Sequence, residues 1–185
     1  LERIDFALSD PEQMPAEVRR GLQRYGLGAE HESALCGAIR EWVRTPLGGP
    51  LGGFTLAELQ GADRVDEMGF SLPVHHAGGR LLAASDLAQA FRAHGTASVL
   101  DGYAERLAGL DFPPLEGYLR GFIDLTFRHQ GRFYLADYKS NKLGAYSSQY
   151  GPEDLADRMR SNDYVLQYHL YAVALHRHLG RRLPG

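Results

Sequence analysis

The sequence predicts a mixed α/β domain in which helices cover a small sheet. Two observations carry this prediction. The first is a pair of apolar, strand-like runs within residues 121–139, joined by the polar residues Gln130 and Gly131, which is typical of a β-hairpin. The second is the order of the other patterns, which runs helix, helix, strand and helix before the hairpin and ends with a helix. With 44% hydrophobic residues, the 185-residue chain can bury a substantial core.

The elements before the hairpin follow from hydrophobic spacing and from breaker residues. They are helices over Pro15–Leu27 and Ala29–Arg44, a flexible segment at Gly48–Gly53, a strand over Glu67–Val74, a turn at His75–Gly79 and a helix over Ser85–His94. In the second helix, four apolar residues are expected to face a core: Leu35, Ile39, Trp42 and Val43. Ser85 and Asp86 are candidate caps of the third helix, and a linker of small residues is expected after it.

The elements after the hairpin complete a single domain. A polar loop is expected at Gly144–Gly151, a short helix after Pro152 and a long helix over Tyr164–Leu179. Residues 1–115 then hold the N-terminal helical part and the first core strand, and residues 116–185 hold the hairpin and the last helix.

Counting along the hairpin places three ionisable side chains together. A two-residue loop of Gln130 and Gly131 puts His129 opposite Arg132, and the same register puts Asp124 opposite Asp137. A four-residue loop keeps this register, and a three-residue loop shifts it by one. Lys139 lies two residues beyond Asp137 and shares its face, because strand side chains alternate.

Two facing carboxylates beside an ammonium favour a bound divalent cation. Like charges directly opposed on two strands repel each other, and a hard cation with oxygen ligands removes that repulsion. We expect Lys139 to position an attacking water and to offset negative charge. The alternative from the residues alone is a surface hairpin whose acids and lysine simply face solvent.

Composition excludes several classes of protein. A single cysteine, Cys36, rules out an internal disulfide framework and is expected to be a small buried residue. The eight histidines of the chain include no H-x-x-x-H pair, so a structural zinc site is not expected. No apolar stretch approaches the roughly 20 residues that span a bilayer, and no signal peptide opens the chain, so we expect a cytoplasmic protein without a membrane partner. The net charge of −3 is unusual for an isolated DNA-binding protein.

The residues from Glu116 to Leu179 carry a family resemblance. The runs GFIDL, DYKSN and Q-x-x-x-Y occur there in order, and this part of the chain resembles the nuclease domain of RecB-type helicase–nucleases. More broadly it is similar to the PD-(D/E)XK nuclease superfamily. The resemblance implies a restriction-endonuclease-like α/β core with a small mixed sheet flanked by helices.

The resemblance also assigns roles to individual residues. Asp124 matches the first acidic position of the superfamily, and Asp137 and Lys139 match its (D/E)-x-K pair, so these three are implied to be catalytic. Mg²⁺ would be held by Asp124, Asp137 and the main-chain carbonyl of Tyr138, and Mn²⁺ is a possible substitute. The resemblance further implies that Gln167 and Tyr171 contact single-stranded DNA. It also implies that Glu67, on the earlier strand, is a supporting acid.

One departure from the family pattern sets an expectation about the ends. The metal-ligand histidine of RecB-like nucleases would align about three residues before Leu1, and a further core strand would follow Gly185. The chain is therefore expected to be a domain fragment cut at both ends, with weak or no nuclease activity by itself.

Several functions remain open at this point. The resemblance implies hydrolysis of phosphodiester bonds in DNA during double-strand-break repair and recombination. Its implied partners are the helicase portion of the same polypeptide and the RecC and RecD subunits. The alternatives are a non-catalytic DNA-clamp or docking module with a decayed nuclease fold, and a stand-alone recombination or phage-type exonuclease. A scaffold has no use for facing acids, which argues against the clamp.

Overall fold

The computed structural model confirms the predicted α/β fold class. It describes residues 3–8, 10–74, 81–95 and 100–183. The helices and strands of these ranges are, in chain order, α1 (Gln13–Arg24), α2 (Glu32–Arg44), β1 (Arg64–Val74), α3 (Ala84–His94), α4 (Tyr103–Ala108), β2 (Gly117–His129), β3 (Arg132–Ala136), α5 (Pro152–Ser161) and α6 (Tyr164–Arg182). No helix in these ranges is long and apolar enough to cross a membrane.

The three strands form one sheet in the order β1-β2-β3, so β2 is the central strand. Strands β2 and β3 are antiparallel and consecutive in the chain, as expected for a hairpin. The strand predicted at Glu67–Val74 begins three residues earlier, at Arg64. The turn predicted at His75–Gly79 lies outside the described residues.

The chain divides into two compact units. The first unit comprises Leu1–Met68 and Asp124–Ala136, and the second comprises Gly69–Ile123 and Asp137–Gly185. Strands β1 and β2 therefore each contribute residues to both units.

The core of the first unit shows where the phase of α2 was misjudged. Cys36 and Val43, seven residues apart, are the buried residues of this helix, so the prediction for Cys36 is confirmed. Leu35 and Trp42 were expected in the core, but they are 42% and 36% exposed. Each of them lies one residue before a buried position. A shift of one residue turns the side-chain direction by about 100° around the helix axis. Trp42 instead lies at the rim, edge-on to the ring of Phe6.

The core of the second unit contains a helix, α4, that the sequence pattern does not predict. Ala88 of α3, Tyr103 and Leu107 of α4, and Val165 of α6 form one buried cluster. The stretch before Tyr103 was expected to be a linker, and α4 itself has only six residues. Such a short helix shows less than two turns of periodicity, so its sequence gives almost no signal.

The start of α3 depends on one of its two predicted caps. The Asp86 carboxylate accepts a hydrogen bond of 2.8 Å from the backbone N–H of Ala83, the residue that precedes the helix. This contact satisfies an N–H group near the start of the helix. The other candidate, Ser85, lies at the second position inside α3, so the capping residue is Asp86.

Candidate active site

The β2–β3 turn fixes the register on which the predicted site depends. Gln130 has φ 49° and Gly131 has φ 75°, and left-handed backbone at both central residues is the property of a type I′ turn. Such a turn matches the right-handed twist of its strands. The pairs run from Leu125↔Ala136 to His129↔Arg132. This is the register predicted for a two-residue loop, so that prediction is confirmed.

Asp124 lies on β2, in the first unit, one residue before these pairs begin. Its neighbours in the chain, Ile123 and Leu125, are both fully buried, whereas Asp124 is half-buried. Because side chains alternate along a strand, the carboxylate points away from the face that buries both neighbours. The sequence therefore places one carboxylate at a position set by the backbone of a central strand.

Glu67 lies on β1 in the first unit and is exposed. Its φ of 49° is unusual for a residue other than glycine, and such backbone costs on the order of 1 kcal/mol. The preceding carboxylate, Asp66, forms an ion pair with Arg64 at 3.0 Å. Whether Glu67 supports a site stays a prediction.

Asp137 and Lys139 form an ion pair in the second unit, just after the end of β3. The side chains are 16% and 31% exposed, respectively. One carboxylate oxygen of Asp137 is buried, and it is the oxygen that faces the ammonium. Partial burial strengthens such a pair, because less water competes for either charge.

Gln167 of α6 holds the other side of the Lys139 ammonium. The Lys139 Nζ donates a hydrogen bond of 2.8 Å to the Gln167 Oε1, 28 residues further along the chain. The Gln167 Nε2 in turn donates a 2.8 Å hydrogen bond to the hydroxyl of Tyr171, one helical turn away. The two residues of the Q-x-x-x-Y motif thus form a connected chain with Lys139.

Tyr164, the first residue of α6, is a contact that the sequence analysis did not assign to the site. The Lys139 Nζ lies 4.3 Å from the centroid of the Tyr164 ring. The Tyr164 hydroxyl donates a 2.8 Å hydrogen bond to the Asn141 Oδ1. The available signal was the spacing, since Tyr164 precedes Gln167 by three residues and therefore shares its side of the helix.

Tyr171 packs against β1 within the second unit. Its ring lies edge-on to Phe70, with centroids 5.6 Å apart. Phe70 also covers Gly121 of β2, where a Cβ atom would lie only 2.7 Å from the Phe70 Cζ. The absence of a side chain at Gly121 therefore makes room for the ring that supports Tyr171.

The start of α6 is anchored by α4. Asp163 precedes α6 with φ 56°, and its two carboxylate oxygens each accept a 2.8 Å hydrogen bond from Arg106. The buried Tyr103 hydroxyl donates to Asp163 at 3.2 Å and accepts from the Leu166 N–H at 3.1 Å. Burial raises the pKa of Tyr103 to about 12, since the phenolate would lose its hydration.

The donor chemistry of the predicted metal ligands fits a hard divalent cation. Two carboxylates and a main-chain carbonyl are all oxygen donors, which Mg²⁺ prefers, and one Asp137 oxygen is already directed into the protein. Among the described residues, no group of three or more His, Cys, Asp or Glu side chains could hold a metal ion.

Comparison with protein families decides the class. Residues 38–185 match the family model of the PD-(D/E)XK nuclease superfamily. The chain belongs to this superfamily. The matched range includes every residue predicted above for the site, and the family resemblance inferred from the sequence is confirmed. Nucleases of this superfamily generally use divalent metal ions.

The chain is also similar to longer bacterial proteins. It is 39% identical to the RecBCD enzyme subunit RecB of Escherichia coli K12 over 171 residues, which cover 91% of this chain and 13% of that protein. It is 39% identical to the RecB subunit of Mycobacterium tuberculosis H37Rv over 193 residues, covering 97% and 18%. The RecB subunit of Mycolicibacterium smegmatis is 40% identical over 197 residues, covering 100% and 18%. The chain thus spans less than a fifth of the length of these relatives.

Proposed function

We propose that this chain is a Mg²⁺-dependent exodeoxyribonuclease domain of a RecBCD-type helicase–nuclease that acts in double-strand-break repair and recombination. The observation that carries the proposal is the placement of Lys139. Its ammonium is held by the Asp137 carboxylate and the Gln167 amide, in a chain that belongs to a nuclease superfamily. The RecB names of the relatives support the RecBCD-type assignment.

Under this proposal, the cation is bound by the Asp124 and Asp137 carboxylates and by the main-chain carbonyl of Tyr138. The proposal keeps the expectation from the sequence that these two aspartates face each other across the hairpin. Their mutual repulsion is relieved by a divalent cation, either Mg²⁺ or Mn²⁺. When bound, the cation neutralises charge that develops on the phosphate oxygens.

Lys139 is proposed to position the reacting water. The oxygen of the water attacks phosphorus, and the bond from phosphorus to the leaving oxygen breaks. A proton passes from the water to solvent, and the leaving oxygen takes up a proton from solvent. An ammonium N–H of Lys139 accounts for the orientation of that water and offsets negative charge in the transition state. Its ion pair with Asp137 and its hydrogen bond to Gln167 fix the nitrogen before substrate binds.

Gln167 and Tyr171 are proposed to guide single-stranded DNA. A side-chain amide has two N–H donors, and Tyr171 takes one of those of Gln167. The second is the donor proposed for a phosphate oxygen or a base edge. Glu67 is the tentative supporting acid of the proposal, from its exposed position on β1.

The proposed partners follow from the RecB relatives. They are DNA, the helicase portion of the same polypeptide, and the RecC and RecD subunits, in the bacterial cytoplasm where chromosomal DNA lies. The chain has a net charge of −3, whereas DNA-binding domains usually carry a basic surface. Under this proposal the helicase portion delivers the DNA strand and takes over the role of that surface.

The proposal is tested by Asp137→Ala in the complete protein. This change removes a cation ligand and the partner of Lys139, and we expect loss of DNA cleavage with folding and unwinding largely intact. The matched control is Asp157→Ala, because Asp157 is an exposed aspartate of the same unit, with a side chain 76% exposed. Digestion of single-stranded DNA by Asp137→Ala at the parental rate in Mg²⁺ would refute the assignment.

Lys139 has a natural control in the same segment. The chain contains two lysines, Lys139 and the exposed Lys142. We expect Lys139→Ala to reduce the cleavage rate strongly with less loss of metal affinity, because an ammonium is not a ligand, and Lys142→Ala to stay near the parental rate. DNA binding without Mg²⁺-dependent cleavage in the parental protein would instead favour the clamp alternative.

A further inference from the structure

The Lys139 ammonium is held on a third side, by an aromatic ring. Asp137 and Gln167 account for two of its contacts. The face of the Tyr164 ring provides the third, with the Nζ 4.3 Å from the ring centroid. All four residues belong to the second unit.

The ring contributes something that the two polar partners do not. An ammonium has three N–H groups, and Lys139 directs one of them to the Gln167 amide oxygen while its charge pairs with the Asp137 carboxylate. The ring face attracts the cation through its quadrupole without a directional acceptor. The ammonium is thereby confined while one N–H stays available. A lysine side chain has many rotamers, so this confinement matters for a group that must meet a reacting atom.

Asn141 holds the ring in place. Its Oδ1 accepts the 2.8 Å hydrogen bond from the Tyr164 hydroxyl. Asn141 lies two residues after Lys139 in the same irregular segment, so one stretch of chain supplies both the lysine and the residue that holds its ring. The other end of Tyr164 is fixed because its backbone begins α6, directly after the anchored Asp163.

We propose that Tyr164 is a positioning residue for Lys139 and that Asn141 fixes the orientation of the Tyr164 ring. This inference rests on the proposed function, because it assigns its effect to the role of Lys139 in cleavage. Its geometric part, the ring over the ammonium, can be tested without any activity.

The activity test compares two substitutions at one position. Tyr164→Phe keeps the ring and loses the bond to Asn141, whereas Tyr164→Leu removes the ring. We expect the single-turnover cleavage rate at saturating DNA to fall about tenfold in Tyr164→Leu and about threefold in Tyr164→Phe, with DNA affinity unchanged. Tyr168→Leu is the control, because Tyr168 lies on the same helix but packs against the core cluster around Tyr103. It should lower stability without changing the rate of the folded protein.

A double-mutant cycle tests whether Tyr164 affects the cleavage rate through Lys139. If the ring acts through the lysine, Tyr164→Leu should cause no further loss in a Lys139→Ala background. A loss of the same size in both backgrounds would overturn the proposal, as would a rate for Tyr164→Leu equal to the parental rate.

A spectroscopic measurement separates this inference from the proposed function. With ¹³C-labelled lysine ε-carbons, the chain gives two signals, from Lys139 and Lys142. We expect ring-current displacement of the Lys139 signal in the parental and Tyr164→Phe proteins, and its loss in Tyr164→Leu. An undisplaced parental signal would overturn the inference whatever the activity. A displaced signal in this chain, together with no DNA cleavage by the complete protein, would refute the proposed function alone and confirm the ring contact.

Discussion

The β2–β3 hairpin and the segment around Lys139 hold their polar side chains in different ways. On the hairpin, Asp124 is placed by the backbone, because it sits between two fully buried residues of a central strand. Lys139 follows the end of β3 in an irregular segment, and it is placed by side chains that come from α6. The first arrangement is specified by neighbouring residues, whereas the second requires a helix that begins 25 residues after Lys139 in the chain.

This difference predicts different responses to mutation. A side chain that the backbone places can be changed with little loss of structure elsewhere. A side chain that a network places depends on every partner, and also on whatever anchors the helix that supplies them. Under the proposed function, both arrangements have to be correct for cleavage.

The largest expected effect is on the backbone-placed carboxylate. Asp124→Asn keeps the size of the side chain and removes its charge, so we expect cleavage to fall by about a thousandfold or more. Stability should change by less than about 1 kcal/mol, because asparagine keeps the size of the side chain and its capacity to accept a hydrogen bond. The measurements are cleavage in Mg²⁺ and denaturant unfolding. The control is Asp63→Asn, which breaks the surface pair with Arg128 and should preserve the rate. Severe unfolding of Asp124→Asn would erase the distinction drawn between the two regions.

The next largest effect concerns Tyr103, which helps to anchor the start of α6, and it appears at alkaline pH. The pKa of Tyr103 is raised to about 12 from its ordinary value of 10, so the folded state favours the protonated phenol. The contribution of Tyr103 to the free energy of unfolding is therefore fully present below pH 10 and is lost as the pH rises from 10 to 12. A shift of that size corresponds to about 2–3 kcal/mol.

Denaturant unfolding at pH 8 and at pH 11 measures this loss. Tyr103→Phe should be less stable at pH 8, since Asp163 and the Leu166 N–H lose a partner, but its stability should fall less on going to pH 11. Burial also raises the pKa of Tyr168, and that contribution is common to both proteins, so the difference isolates Tyr103. An equal alkaline loss in the two proteins would contradict the assignment. Tyr146→Phe, at a residue 73% exposed, should match the parent.

The smallest effect tests the hairpin alone. Gly131 has φ 75°, so Gly131→Ala forces a Cβ into left-handed backbone and should cost about 1–2 kcal/mol. Gln130 has φ 49°, and Gln130→Gly should relieve strain and be neutral or slightly stabilising. Thermal unfolding measures both changes. A neutral Gly131→Ala would mean that another turn can replace the type I′ turn.

The features predicted from the sequence were those set by adjacent residues. The hairpin register followed from the two-residue loop, and the burial of Cys36 followed from its residue type. The helix after Pro152 was found because proline fixes its first position. In α2 the prediction of a core position was confirmed for Val43 and wrong for Leu35 and Trp42, because the apolar residues of this helix fit two stripes one residue apart.

The features that were missed depend on distant parts of the chain. Helix α4 is stabilised by the core it shares with α3 and α6, and its six residues carry little pattern of their own. Gln167 and Tyr171 were selected only by family resemblance. The three-residue spacing of Tyr164 and Gln167 predicts only that the two share one side of the helix. It does not predict that Gln167 bonds to Lys139 or that the Tyr164 ring lies against the ammonium. Hydrogen bonds of that kind are properties of the tertiary structure.

The left-handed residue before α6 restricts how related sequences can differ. At position 163, glycine would suit the backbone but would lose both bonds from Arg106, and asparagine would keep the backbone but only part of the pairing. A change at either of these two positions leaves the other with a charge in need of a partner. Among related sequences, positions 106 and 163 should therefore change together. An aligned set should show this coupling even though position 106 lies on α4 and position 163 lies just before α6, far apart in the chain.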